Sequence, residues 1–166
     1  MNPMLSATAL LLMTLMPAAA VEMALPTGAE ILEVNGSITN SNADGKAIFD
    51  LNMLDALPQR VTKATTPWYT GEHEFSGVII SDLLDYLGAS GENVTFTALN
   101  DYASEIPMAE LEDMPVILAT RVDGEELSVR DKGPLFVIYP FDLDSTLYNE
   151  VIFGRSVWQV ASVTVH

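Results

Sequence analysis

The sequence predicts an α+β fold: a single domain built on a mixed or antiparallel β-sheet with three short helices. Three observations carry this. Apolar and polar residues alternate in many short runs, the period of half-buried strands. Helical spacing appears only in brief segments. None of these is long enough to make βαβ crossovers, which argues against a doubly wound parallel sheet.

Taken in order, residues 21–29 read as an extended leader, and "EILEVNGSI" as a strand with a turn at Asn35-Gly36. "ITNSNADGKAIFDL" places Asn40, Asn42, Asp44 and Gly45 at the spacing of a calcium loop. Its twelfth position is Leu51 rather than a glutamate, so a hairpin-type loop is the better reading. "DLNMLDALPQ" is a short helix capped by Asp50, and "RVTKATT" is a strand. "PWYTGEHEFSG" is rich in turn residues and reads as a loop, with "HEF" as a candidate strand. "VIISDLLDYLGASG" is a helix with Ser81 as N-cap, ending at Gly88. "NVTFTAL" alternates as a strand. "NDYASEIPMAELED" is a loop, a short strand and a helical turn. "MPVILATRVDGEEL" is a strand with an Asp123-Gly124 turn. "PLFVIYPF" is nearly all apolar, so it is a strand buried on both faces. "DLDSTLYNE" is a loop with a short helix, and "SVWQVASVTV" closes the chain as a strand.

Residues 1–20 have the pattern of a signal peptide: an apolar run, Pro17, then Ala18-Ala19-Ala20. Residues 21–166 then form the domain, and the protein is expected in the periplasm or secreted, with no membrane span left after cleavage. Residues 1–20 contain no charged side chain, so the domain keeps the whole formal charge of −16. Such a surface repels nucleic acid. There is no cysteine, hence no disulfide and no thiolate for a metal or for nucleophilic attack.

The chain also lacks a nucleophile elbow, a glycine-rich phosphate loop and a zinc-binding pattern. Its histidines are His73 and the C-terminal His166. Three features remain as a candidate site. One is Thr66-Pro67-Trp68-Tyr69. Another is Asn100-Asp101-Tyr102, directly after a strand. The third comprises the cations Arg130, Lys132 and Arg155, with Ser156 and Trp158 close behind. Aromatics beside arginine suit a flat heteroaromatic ligand: rings stack on it and Arg meets its carbonyl and ring nitrogens. Each residue taken singly also reads as ordinary packing or a solvated charge.

From about Arg60 to its end the chain resembles the molybdopterin-binding domain of the sulfite oxidase family. "FSGVIISDLLDYLGA" is similar to that family's W-x-G-V-P-L-x-D-L-L element, and "TALNDYASEIPM" to its loop around a tyrosine. "VILATRVDGEELSVRDKGPLFVIYP" resembles its long run ending in H-G-x-P-x-R-L-V-V-P, and "RSVWQVASVTV" its closing strand. In that family a cysteine binds molybdenum. Here the corresponding stretch, around Ala64 to Thr66, has none, Lys132 replaces the family histidine, and Leu135 and Phe136 stand where the arginine is expected. The resemblance implies a small exported pterin-binding regulator of the PruR-like group. Such a protein binds a free pterin without molybdenum and acts on the periplasmic part of a membrane-bound cyclic-di-GMP enzyme. The alternatives are a molybdopterin-dependent oxidoreductase with an altered metal site, or an adaptor that binds no ligand. Thr66, Trp68, Asn100, Tyr102, Arg155 and Ser156 are expected to share one cleft, with Arg130 and Lys132 at its rim.

Overall fold

The alternation in "LEVNG" makes β1 (Leu32–Gly36), with Leu32 and Val34 turned into the core. In the computed structural model, which describes residues 23–166, β1 pairs antiparallel with β2 (Ala47–Phe49) and parallel with β10 (Val160–Val165). β10 continues antiparallel to β5 (Asn93–Ala98), and β5 to β6 (Ala103–Pro107). This is a mixed sheet in the order β2-β1-β10-β5-β6. A second, antiparallel sheet runs β3-β4-β7-β8, from β3 (Gln59–Thr66), β4 (Tyr69–Ile79), β7 (Ile117–Val122) and β8 (Glu125–Glu126). β9 (Phe136–Ile138) pairs with the opening of β7. The expected signal peptide falls outside the described residues.

The helices are α1 (Leu51–Asp55), α2 (Ile80–Tyr86), α3 (Met108–Asp113) and α4 (Glu150–Arg155). Asp50 caps α1: one oxygen accepts from Met53 N at 2.9 Å, the other from Thr27 N and Gly28 N at 2.7 Å each. These amide bonds, Gly28 foremost, hold its carboxyl below the usual carboxylate range. α2 ends as a Schellman motif, with Gly88 left-handed at φ 58° and Ala89 N bonded to Leu84 O at 3.0 Å. Three expectations need correction. There are two sheets and four α-helices. Ser81 lies within α2, whose N-cap is Ile79 with no side-chain bond. "PWYTGEHEFSG" is largely the long strand β4.

β9 is buried on both faces. Leu135, Val137 and Tyr139 enter the main core with β1, β5 and β10, while Phe136 and Ile138 join a second cluster with Phe75, Ile117 and Leu127. Just before β10 the chain returns along β9. Val137 N bonds Val157 O, Val160 N bonds Leu135 O, and Gln159 N bonds Lys132 O, each at 2.9 Å. The two sheets are therefore stitched together where Trp158 faces Phe136.

Candidate functional site

At this seam lies a cleft of about 260 Å³, near the small end of ligand sites, which run roughly from 300 to 1,000 Å³. Trp68 enters from the β3–β4 turn, Asn100 and Tyr102 from the β5–β6 turn. Phe153 and Ser156 come from α4 and its end, Val157 and Trp158 from the run into β10. Trp68 stands edge-on to Phe136, Phe153 and Trp158, with ring centroids 5.1, 5.7 and 6.4 Å apart. These T-shaped contacts set the rings roughly perpendicular to Trp68 around the space. Both tryptophans of the chain line this one cleft.

The polar groups are fixed locally. Asp101 closes the β5–β6 turn through its N–H to Ala98 O at 3.0 Å and is left-handed at φ 66°, a pattern of short hairpin loops. Asn100 Oδ1 accepts from Tyr102 N at 3.2 Å, and the half-exposed Tyr102 phenol donates to Gly154 O at 2.8 Å. Ser156 is buried and its hydroxyl donates to Ile152 O at 2.9 Å, so only its acceptor lone pairs remain for a ligand.

Lys132 sits at the edge, left-handed at φ 70°, with Nζ 4.7 Å from the Tyr69 ring centroid and 5.7 Å from that of Trp158. The Tyr69 phenol donates to Asp131 O at 2.8 Å. Burial, then the charges of Asp131 and Asp123, push its pKa up. Thr66 is buried two residues before Trp68, and its hydroxyl has no hydrogen-bond partner among the described residues. It does not line the cleft.

Like Thr66 and the edge residue Lys132, the expected contacts Arg130 and Arg155 are not in the cleft lining. Arg130 is exposed on the 3-10 turn Val129–Asp131. Arg155, expected to meet a ligand carbonyl, instead pairs with Glu110 of α3. Glu110 Oε1 also accepts from the buried Tyr139 phenol at 2.6 Å. The α3 carboxylate satisfies the guanidinium better than an open cleft does. Burial, then the bond to Glu110, raises the Tyr139 pKa far above that of free tyrosine. Phe153 and Val157 were missed; nothing in "EVIFGR" marks a site residue, whereas Trp158 carried the signal of an aromatic beside Arg155 and Ser156.

The segment with calcium-loop spacing is the hairpin-type turn the sequence favours, with Ala43 and Lys46 bridged antiparallel. Asn42 uses its amide to bond Ala24 O, Ile48 O and Ile48 N. Among the described residues no group of three or more His, Cys, Asp or Glu is placed to hold a metal ion.

The fold has a solved counterpart in the sulfane dehydrogenase SoxCD from Paracoccus pantotrophus. Identity is 19%, the TM-score is 0.60, and the match covers 81% of this chain and 37% of that one. The likeness is one of fold, and this chain spans little more than a third of that protein's length. No curated protein sequence matches the chain. Residues 50–142 match the family described as oxidoreductase molybdopterin binding domain, a span that includes Trp68, Asn100, Tyr102 and Lys132. Over more than half its length, then, the chain carries the pattern of that family, and it belongs to the oxidoreductase molybdopterin binding domain family.

Proposed function

We propose that the protein is a non-catalytic, periplasmic pterin-binding regulator of the PruR-like kind, holding a free pterin and acting on the periplasmic part of a membrane-bound cyclic-di-GMP enzyme. The observation that carries this reading is the cleft: rings from three separate elements, Trp68, Tyr102 and Trp158, around a space sized for one flat bicycle. Aromatic faces and a few fixed polar groups are what a neutral planar heterocycle requires.

Molybdopterin, which the family's description names, brings three demands. The flat pterin suits the cleft. Its phosphate would find only Lys132 at the edge, because no cation lines the space. Its metal would find no thiolate in the whole chain. Near the expected cysteine position stands Thr66, whose neutral hydroxyl is a poor substitute for a soft sulfur ligand. The pterin half of the group therefore fits these residues and the metal half does not. The family match is the one observation that favours the second reading, a molybdopterin oxidoreductase with an altered metal site.

Stacking of about 0.5–1.5 kcal/mol beyond area burial, a few hydrogen bonds of roughly 1 kcal/mol each and apolar burial support micromolar affinity, about −8 kcal/mol. Titration of the protein with 6-hydroxymethylpterin, read by fluorescence of the two cleft tryptophans, tests this. Saturable quenching at micromolar ligand is expected. Unchanged fluorescence and no binding heat at millimolar ligand would remove the regulator reading.

A further inference from the structure

We propose that the face beside the cleft, centred on Leu99, Val129 and Arg130, docks a partner protein through an apolar segment that carries carboxylates. The proposal rests on the regulator reading, for which it supplies the surface that meets the membrane protein.

Charge singles this face out. All seven lysines and arginines lie among the described residues, and five of them meet carboxylates: Lys46 with Glu33, Arg60 with Asp142, Lys63 with Glu72, Arg121 with Asp55 and Arg155 with Glu110. The two without a carboxylate partner are Arg130 and Lys132, two positions apart on one loop. Lys132 is held by rings, and the Arg130 side chain has no hydrogen bond, ion pair or ring contact with any described residue. In a chain of formal charge −16 these cations are scarce, and leaving both unpaired at one place creates a local exception to a repulsive surface.

The same face exposes apolar side chains. Leu99 is 54% and Val129 53% exposed. They are neighbours through Gln159, whose carbonyl accepts from Leu99 N at 2.9 Å and whose amide donates to Val129 O at 2.7 Å. Beneath them a groove of about 370 Å³ is floored by Ile31, Leu32, Pro134 and Ala161. Leu99 precedes Asn100 and Gln159 follows Trp158, so this groove and the ligand cleft share one ridge. Asp101, Lys132 and Gln159, spaced along the ridge, are all left-handed, with φ of 66°, 70° and 54°. That conformation is rare outside glycine and persists where surrounding contacts enforce it, so the ridge is rigid.

The occupant follows from charge and shape together. An apolar side chain of the partner enters the groove, and a carboxylate beside it meets Arg130. Glu30 and Glu33 line the groove as well and repel an acid placed at their end, which fixes the segment's direction. A polyanion such as nucleic acid is excluded by the acidic surroundings. Because the ridge borders the cleft, a bound ligand becomes part of the surface that the partner reads.

The test pans a displayed random-peptide library against the intact protein, with and without 6-hydroxymethylpterin. Enriched peptides are then measured on Arg130→Glu and Val129→Asp. Thermal melts of both variants establish that they fold, and neither residue lines the cleft. The expected result is enrichment of peptides combining large apolar residues with Asp or Glu, bound at least tenfold more weakly by both variants. No enrichment, enrichment of basic peptides, or equal binding by the variants would overturn the proposal. So would a dimer of the protein alone, seen by sedimentation and lost in Val129→Asp, because it would assign the face to a second copy. Pterin titration of the same samples separates the two claims: affinity unchanged in Arg130→Glu is expected, whereas no pterin binding by any sample sinks the ligand reading and leaves the peptide result to judge the docking face.

Discussion

Replacing Glu110 by Ala should destabilise the domain by about 2–4 kcal/mol. Glu110 accepts the Tyr139 phenol at 2.6 Å on one oxygen and pairs with Arg155 through the other. Tyr139 is fully buried, so loss of its acceptor strands a hydroxyl at a cost of about 1–3 kcal/mol. Breaking a fully buried ion pair costs about 3–5 kcal/mol. The Arg155 and Glu110 side chains are 25% and 18% exposed, so solvent recovers much of that and about 1 kcal/mol is the fair addition. For a domain of this size the fall in Tm is roughly 4–16 °C. The effect should reach the cleft, since Arg155 ends α4 and Ser156 follows it. Glu110→Gln, which keeps an acceptor for Tyr139, should lose less than half as much. Calorimetric melts of the two variants provide the assay. A Glu110→Ala loss under about 1 kcal/mol, or equal losses for Ala and Gln, would refute the claim that one carboxylate braces both groups.

Trp158→Ala should weaken binding of 6-hydroxymethylpterin by up to about tenfold through lost stacking, beside a fall in Tm from its lost contacts with Trp68 and Phe136; an affinity equal to wild type in the folded variant would remove Trp158 from the site. Gly133→Ala should cost about 2 kcal/mol or more in chemical denaturation, because a Cβ there would lie 2.0 Å from Leu127 O and displace the loop that carries Lys132; wild-type stability would contradict this. The His73–Asp123 pair, 2.6 Å apart, should give a pH-dependent stability. The bond to Asp123, then that to Thr70 O, raises the His73 pKa, so its contribution is complete below about 6.5 and is lost as pH rises through the raised folded value. The Asp123 carboxyl is lowered, chiefly by Glu74 N and then by His73, so its contribution holds above about 3.8 and fades as pH falls through the lowered value. The Tm difference between wild type and His73→Gln should therefore be largest between those limits and shrink toward alkaline pH; a difference constant from acid to alkaline pH would oppose it.

The elements legible in the sequence are those whose cause is local. Asp50 as a cap, Gly88 as a helix stop and the doubly buried β9 each follow from a residue and its near neighbours. β4 was hidden because Gly71 and Gly77 look like turn residues. Gly77 is there for a distant reason: Leu118 O passes within 2.1 Å of where its Cβ would be. α4 has only six residues, two of them Val and Ile and one Gly, so no helical period shows. At the site, Trp68, Asn100, Tyr102 and Ser156 come to one cleft because each ends a strand, a turn or a helix that meets the seam. Arg155 lies next to Ser156 in sequence yet turns to Glu110, 45 positions away, and no local pattern encodes that partner.

On this reading the protein holds a pterin without molybdenum. Protein purified from a molybdenum-replete host, analysed for metal and for co-purifying small molecules by mass spectrometry, tests it most directly. A pterin in near-stoichiometric amount and molybdenum at background are expected. Stoichiometric molybdenum, or molybdopterin in place of the free pterin, would contradict it.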